Sequence, residues 1–498
     1  MKKISLALLA LALTACNQTP KLPPSHYDKL ADQPYIESYP LRADLSALKQ
    51  ELLFERGVQA YLWALPALNI YAMKEGSEKA FGKGYNVLPV FKQRMNAKTM
   101  IATPNFDVIS ALGYLDLRQD GPMVIEVPPG LDGILDDFWQ RPIRSAVQID
   151  GRDWAGDVGS AGPDHGNGGK YLILPPDYKE PIPSGYFTYR SGTYGVFVAC
   201  STFFKDPNEL SEPIRVMEQT RIYPLGQEAT AKPMQFPDAS AKPVNMLYPQ
   251  DGNAFELLSR FIDHEYVDPS DMEMRGVLAG IGIIEGKSFN PDAATLDLLD
   301  KAARTASRIG HALSYQPSVM VPNGLYYANR HWVNPLPTNA TFTVDTYDIV
   351  DAQAAFFTYA HSTSPAMAAN TESMGAKVAT AYVDASGNFL RGSQAYILHL
   401  PPNIPAATFW SIAVYDPITG SGLDNGQPFP SLSTMDKPIQ NADGSTDIYF
   451  GPKSPGTGKN WIATVPDKGW FTLLRLYGPT KAFLDQSWKP DDIRRANF

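Results

Sequence analysis

Helical periodicity is clearest in two stretches of the chain, 46–81 and 292–313. In both, apolar residues recur every three or four positions, the spacing that places them on one face of a helix. Pro66 predicts a kink or a break in the first stretch, because proline cannot donate the helical hydrogen bond. Shorter helices are predicted at 254–266, 269–284 and 348–361, and Asn253 with Glu256 predicts a capping box for the first of these.

Strand-like runs dominate two other regions. They are short, rich in β-branched and aromatic residues, and bounded by glycine, proline, asparagine or aspartate. This alternation of strands and turns is typical of antiparallel β-sandwiches. The predicted strands are 123–127, 171–174, 195–204, 382–383, 395–400, 408–415, 447–450, 461–465 and 471–477.

Together the elements predict an α+β fold, in which two antiparallel β-sandwiches pack with helical segments. The 498 residues suffice for about three domains. The 43 prolines and 38 glycines suit a chain with many turns. The predicted segments are a leader at 1–15, a tether at 16–42, helices at 43–98, an N-terminal sandwich at 99–250, helices at 251–330 and a C-terminal sandwich at 331–498.

The N-terminus has the pattern of a lipoprotein leader. Lys2 and Lys3 precede a short apolar run at 4–12, which is followed by Leu-Thr-Ala and Cys16. This resembles the lipobox of bacterial lipoproteins, in which the cysteine is lipidated; the alternative is a secreted protein cleaved before Cys16. Asn17, in place of aspartate, favours the outer membrane under lipoprotein sorting rules. We therefore expect a lipid-anchored protein of the cell envelope, facing either the periplasm or the cell surface.

Charge and missing motifs exclude several classes of function. A net charge of −9 without a basic cluster argues against nucleic-acid binding. The seven histidines form no closely spaced metal-binding pair, so neither a metal nor another cofactor is expected. The nucleophile elbow of α/β-hydrolases and the glycine motif of Rossmann folds are also missing. Cys200 lies in an apolar run and is interpreted as a buried residue rather than a nucleophile.

Two segments resemble known families. The first contains Thr-Pro-Asn-Phe-Asp at 103–107, Gly-Pro at 121–122, Gly-Lys-Tyr-Leu-Ile-Leu-Pro at 169–175 and Tyr-Arg-Ser-x-Thr-Tyr-Gly at 189–195. The second contains Leu-Arg-Gly at 390–392, Trp-Ser-x-x-x-Tyr-Asp at 410–416 and Leu-Arg-Leu-Tyr-Gly-Pro at 474–479. Together they resemble bacterial proteins that join the domain-of-unknown-function families 1254 and 1214, over nearly all of the chain after the leader.

This resemblance implies a fold and no reaction. The N-terminal sandwich would be immunoglobulin-like, and the C-terminal one jelly-roll-like. Family 1254 typically places threonine and tyrosine after its Asn-x-Asp pair, whereas this chain has Val108 and Ser110 there. An activity that depends on those two residues is therefore in doubt.

Asn105, Asp107 and Arg475 are candidate catalytic residues. Asn105 and Asp107 would face one side if their segment is a strand, although an Asx turn explains the pair equally well. Arg475 shares a strand face with Tyr477 and has two interpretations. It could bind a carboxylate or phosphate through two hydrogen bonds from its guanidinium, or it could hydrogen-bond to loops and hold them against the sheet.

Candidate ligand-binding residues lie in the C-terminal match. Four of them would supply aromatic surfaces for a small molecule or a glycan, and the fifth is an acid: Trp410, Tyr415, Trp461, Tyr477 and Asp416. Asp416 and the loop after it could hold Ca²⁺, although a plain turn explains them too. Asp136 and Asp137, next to aromatic residues, suggest a sugar site, but adjacent acids in a strand point apart.

The sequence is compatible with three functions. The first is a lipid-anchored protein that binds a small molecule or glycan in a sandwich cleft. The second is a metal-independent hydrolase whose site draws on both sandwiches. The third is a structural protein of the envelope. A concave pocket with convergent polar groups would favour the first two, and a large exposed apolar patch the third.

Overall fold

The computed structural model describes residues 23–316, 321, 323–373 and 375–498. The predicted leader and Cys16 lie outside these residues. The chain divides into two compact units, one ending at Leu53 and the other spanning Phe54–Phe498. The described part of the first unit contains α1 (His26–Ala31) and a hairpin of β1 (Tyr35–Ile36) and β2 (Tyr39–Pro40). In the described part of the chain, no helix combines the length and the apolar character needed to cross a bilayer.

The helix α2 (Arg42–Phe81) begins in the first unit and continues into the second. Pro66 lies inside it and does not split it, contrary to one of the two outcomes predicted. Its neighbours Leu65 and Leu68 are buried, and this packing outweighs the one helical hydrogen bond that proline cannot make. The helix ends before Gly82, whose φ of 108° is easily reached by glycine.

The N-terminal sandwich pairs two sheets, ordered β12-β5-β9-β10-β7 and β4-β11-β6-β8. Side chains of alternate residues fill its core, among them Ile125 and Ile173 from one sheet and Ala111 and Val198 from the other. Most neighbours run antiparallel as predicted, but β9 and β10 run parallel. The elements are β3 (Thr99–Met100), β4 (Ile109–Asp116), α3 (Leu117–Asp120), β5 (Met123–Val127), β6 (Asp132–Asp137), β7 (Arg144–Ser145), β8 (Asp157–Val158), β9 (Gly169–Leu174), β10 (Phe187–Arg190), β11 (Gly195–Thr202), α4 (Ser211–Met217), β12 (Arg221–Pro224) and β13 (Val244–Asn245).

Helices connect the two sandwiches. The predicted capping box is wrong: α5 begins at Asn253, whose own N–H is held by the carboxylate of Asp251 at 3.0 Å, and its side chain caps nothing. Asp292 instead caps α7 through the N–H of Thr295 at 2.8 Å. The elements of this region are α5 (Asn253–His264), α6 (Met272–Gly280), α7 (Ala293–Tyr315), β14 (Thr343–Val344), β15 (Tyr347–Asp348), α8 (Val350–Tyr359) and α9 (Pro365–Ala368).

The C-terminal sandwich pairs the sheets β16-β22-β18-β19 and β21-β20-β17-β23. Its core includes Trp410, Ile412 and Leu474. The predicted α+β fold with sandwich-like domains is confirmed, although β20 and β21 also run parallel, and the strand expected at 382–383 lies earlier, in β16. The elements are β16 (Ala376–Ala381), β17 (Tyr396–Leu400), β18 (Ala406–Tyr415), β19 (Ser431–Ser433), β20 (Thr446–Gly451), β21 (Asn460–Ala463), β22 (Phe471–Pro479), α10 (Lys481–Leu484) and β23 (Arg494–Arg495).

Candidate functional site

A cavity of about 720 Å³ lies between β4-β11-β6-β8 and β16-β22-β18-β19. Successive residues of a strand point to opposite faces, so most residues that line the cavity alternate with those that fill the two cores. Val158 and Cys200 belong to the N-terminal core and also border the cavity. Leu112 and Ile134 flank Ala199 on one wall, and Leu473, two residues before Arg475, contributes to the other. The volume falls within the range of small-molecule sites, about 300–1,000 Å³.

Arg475 lies in β22, lines the cavity and is 7% exposed. Its Nη1 donates to the hydroxyl of Tyr415 at 2.5 Å, and its Nη2 donates to the carbonyl of Thr103 at 3.0 Å. Tyr415 in turn donates to the carbonyl of Pro104 at 3.0 Å. Arg475 therefore ties a loop of the N-terminal part to the C-terminal sheet, the second of the two roles considered for it, while it still borders the cavity.

Asn105 lines the cavity with Tyr477. Its Oδ1 accepts from the N–H of Asp107 at 3.0 Å, which is the Asx turn considered as an alternative to a strand. Its Nδ2 donates to the hydroxyl of Tyr477. The ring of Tyr477 stacks on Phe409, with centroids 4.1 Å apart. Asn105 thus positions the tyrosine hydroxyl at the cavity wall.

Asp107 is 0% exposed and does not line the cavity. Its Oδ1 accepts from Nη2 of Arg94 at 2.7 Å, and Arg94 also donates to Asp436 at 3.0 Å and to the carbonyl of Phe106 at 2.7 Å. Burial raises the pKa of Asp107 in spite of the guanidinium beside it. This geometry places Asp107 in a buried ion network that joins the two sandwiches, which gives its predicted catalytic role no support.

His361 also lines the cavity, although it was not among the candidate residues predicted from the sequence. Its Nδ1 lies 2.9 Å from the carbonyl oxygen of Ala102. Burial, together with the positive charge of Arg475, lowers the pKa of His361 to about 4. The imidazole is therefore neutral near pH 7.

The segment after His361 is held by a buried carboxylate. Asp136 accepts from the hydroxyl of Ser362 at 2.8 Å and from the N–H of Thr363 at 3.1 Å. Asp137 points elsewhere and pairs with Arg141 at 2.8 Å, so the two acids point apart as the sequence predicts for a strand. Asp136 thus fixes the backbone that carries His361.

Asn105, His361, Arg475 and Tyr477 together form the polar corner of the cavity. Arg475 and Tyr477 are two residues apart on one strand face, and the charge of Arg475 acts on both His361 and Tyr477. No sequence motif predicts a role for His361, because Ala102, its own partner, and Asp136, the partner of the following residue, lie more than two hundred residues away.

The remaining predicted residues are placed away from the cavity. Trp410 belongs to the C-terminal core, and the indole N–H of Trp461 donates to the carbonyl of Gly451 at 3.0 Å. Asp416 pairs with Lys468 at 2.7 Å. Tyr415 is fully buried behind Arg475. Of the five residues predicted to bind a ligand, only Tyr477 lines the cavity, and the roles predicted for the other four find no support there.

Neither Cys200 nor a cluster of metal-ligating side chains provides a reactive group in the described part of the chain. Cys200 packs in the N-terminal core, and burial raises the pKa of its thiol to about 12, as expected of a structural rather than nucleophilic cysteine. Within residues 23–498, apart from the undescribed gaps, no three histidine, cysteine, aspartate or glutamate residues cluster as metal ligands.

Two family models match the chain, and both describe proteins of unknown function. The DUF1254 model matches residues 85–224, and the DUF1214 model matches residues 375–481. Both families, and their order along the chain, were expected from the sequence motifs, but the two matches leave 225–374 and 482–498 outside, whereas the expected resemblance extended over nearly all of the chain after the leader. No curated protein matches.

Solved structures from two bacteria are similar to this chain. The VPA0106 protein from Vibrio parahaemolyticus is 17% identical, with a TM-score of 0.52 over 90% of this chain and 100% of that one. A protein from Burkholderia cenocepacia is 14% identical, with a TM-score of 0.37 over 91% of this chain and 96% of that one. The first similarity supports the fold alone.

Proposed function

We propose that this protein binds a small, largely apolar molecule in the cavity between its two sandwiches. The observation that carries the proposal is the cavity itself, about 720 Å³ in volume, with apolar residues such as Leu112, Ile134 and Leu473 in its walls and a polar corner. Three charged residues also line it, and each has a partner within the protein: Asp132 accepts from Ser160, Asp157 accepts from the N–H of Ala366, and Lys377 donates to the carbonyls of Met367 and Ala368. Pockets that combine apolar walls with a few convergent polar groups are typical ligand sites. No tryptophan is among the described residues that line the cavity, so a small molecule suits it better than a glycan.

The hydrolase alternative has less support. Asp107, one of its candidates, is engaged by Arg94 and lies outside the cavity. Among the described residues, no serine or cysteine side chain is hydrogen-bonded to His361, so the nucleophile–base pair of a hydrolase is not assembled. The structural-protein alternative does not account for the cavity.

A ligand screen with a cavity-filling variant tests the binding function. The chain from Asn17 onward, which keeps every described residue, would be screened by thermal shift against apolar alcohols, acids, amines and neutral lipids. A ligand at about 100 times its Kd adds about 2.7 kcal/mol to the free energy of unfolding. Ala199→Phe, which fills the cavity from β11, should abolish the shift. Ala385→Phe, at an exposed turn, should retain it.

Two outcomes would contradict the binding function. One is the absence of a shift with every compound, and the other is an equal shift in Ala199→Phe.

We also propose that a lipid on Cys16 anchors the protein in the outer membrane. The lipobox-like sequence supports this proposal. Cys16→Ser should move the protein from the membrane fraction to the soluble fraction, and intact-mass measurement should find acyl chains on the wild-type N-terminus. Cys200→Ser is the matched control, because it removes the other cysteine and keeps the lipidation site. An unmodified N-terminus in the wild-type protein would refute the anchor.

A further inference from the structure

His361 presents a hydrogen-bond acceptor to the cavity. The carbonyl oxygen of Ala102 can only accept, so Nδ1 of His361, 2.9 Å away, must carry the ring hydrogen and donate it. Nε2 then has a lone pair and no hydrogen. None of the described residues donates a hydrogen bond to this nitrogen. Since the pKa is lowered to about 4, the neutral tautomer persists at neutral pH.

Tyr477 presents a donor. Oδ1 of Asn105 accepts from the N–H of Asp107, which orients the amide so that Nδ2 faces Tyr477. The tyrosine oxygen is therefore the acceptor in that bond, and its own hydrogen has no acceptor among the described residues. Burial raises the pKa of Tyr477 to about 12, so the hydroxyl keeps its hydrogen.

Arg475 makes the polar corner unfavourable for an amine. Its guanidinium is a fixed positive charge that would repel an ammonium group. A carboxylate is disfavoured for two other reasons. It would meet the lone pair of His361, and Arg475 already donates to Tyr415 and Thr103 and interacts with the carboxylate of Asp107. The two unused groups, an acceptor on His361 and a donor on Tyr477, match an uncharged group that both donates and accepts.

We propose that the polar corner of the cavity selects an uncharged apolar alcohol or phenol over the carboxylic acid or amine of the same shape. The ligand hydroxyl donates to Nε2 of His361 or accepts from the hydroxyl of Tyr477, and its apolar body lies against walls such as Leu112, Ile134 and Leu473. This inference rests on the ligand-binding function proposed above and adds the chemical class of the ligand.

Four probes that share a phenyl ring and a two-carbon chain test the selection: phenethyl alcohol, phenylacetate, phenethylamine and ethylbenzene. Their affinities for the chain from Asn17 onward would be measured at pH 7.5 by calorimetry. Phenethyl alcohol should bind roughly tenfold more tightly than ethylbenzene, the gain of about one net hydrogen bond, and more tightly than the two charged probes. Tyr477→Phe, which keeps the ring that stacks on Phe409, and His361→Phe should each reduce this preference without weakening the binding of ethylbenzene.

Tyr449→Phe is the matched control, because Tyr449 lies in β20 outside the cavity lining. It should leave every affinity unchanged. If His361→Phe does not fold, Tyr477→Phe alone decides the outcome. Tightest binding of phenylacetate or phenethylamine, or equal binding of alcohol and ethylbenzene, would overturn the selection and leave the binding function intact. No binding of any probe, including ethylbenzene, would overturn both.

Discussion

Arg94→Ala is expected to be among the most destabilising single changes in this protein. Arg94 is 4% exposed and donates to the carboxylates of Asp107 and Asp436 and to the carbonyl of Phe106. Residue 94 precedes the N-terminal sandwich and residue 436 follows β19 of the C-terminal one. Removal of the guanidinium leaves the carboxylate of Asp107 fully buried without its hydrogen-bonded counter-ion, and only the more distant charge of Arg475 remains.

The magnitude follows from this burial. Loss of one partner of a buried ion pair costs about 3–5 kcal/mol. Asp107 can limit the cost by taking up a proton, because burial already raises its pKa. Each unit by which the pKa of Asp107 is raised corresponds to about 1.4 kcal/mol in the cost of keeping it charged. The destabilisation should therefore be larger at pH 8 than at pH 5, and Asp107→Asn should restore part of the stability in the Arg94→Ala background.

Urea denaturation at both pH values measures the effect. Arg215→Ala is the matched control, because Arg215 makes an equally short pair with Glu212, at 2.6 Å, on the exposed surface. This control should not change the unfolding midpoint measurably. A midpoint shift of Arg94→Ala no larger than that of the control, or a shift independent of pH, would refute the buried ion network as a source of stability.

Three further changes have expected outcomes. Burial raises the pKa of Asp157 to about 6, so the folded state disfavours its charged form, and its contribution to stability decreases as pH rises from about 4 to about 6. In urea titrations, Asp157→Asn should remove this pH dependence and add at most about 3 kcal/mol to the free energy of unfolding at pH 7.5. A pH profile of stability identical to that of the wild-type protein would contradict this. Cys200→Ser should cost about 1–3 kcal/mol, because it places a hydroxyl in an apolar core, and the native thiol should resist a thiol reagent until the protein unfolds; rapid labelling of the folded protein would contradict its burial. Gly392→Ala would bring a methyl group within 1.9 Å of the carbonyl oxygen of Val465 and should lower the free energy of unfolding by about 3 kcal/mol or more. Gly276→Ala, in α6 with open space around it, should instead stabilise the protein by about 0.5–1 kcal/mol. Equal melting temperatures for these two variants would show that the backbone around Gly392 moves to accommodate the methyl group.

Local patterns predicted most of the regular elements. In α7, Leu299, Ala302 and Ala306 recur every three or four positions and are buried, as the helical spacing of apolar residues in 292–313 predicts, whereas Leu296, at the same spacing, is 43% exposed. The run at 123–127 became β5 with the predicted bounds. Such elements are encoded by periods of two or three to four residues, which a single sequence displays directly.

The capping box at Asn253 illustrates a local signal that another local group overrode. Asn253 and Glu256 have the right spacing, but the carboxylate of Asp251 accepts the hydrogen bond from the N–H of Asn253. As a result, the helix begins one residue earlier than the motif requires. Pro66 illustrates tertiary override, since buried packing on both sides keeps α2 continuous. In both cases the competing interaction is comparable to the predicted one, about 1–3 kcal/mol.

The sequence by itself determined the α+β class, the two sandwiches and three of the residues near the site: Asn105, Arg475 and Tyr477. Only the tertiary structure decided what these residues do. It paired Asn105 with Tyr477 across 372 positions, directed Asp107 to Arg94 instead of the cavity, and brought His361 to the carbonyl of Ala102 across 259 positions. Spacing along a chain encodes which face of an element is buried, but contacts between distant segments depend on how whole sheets pack, and no local pattern records that packing.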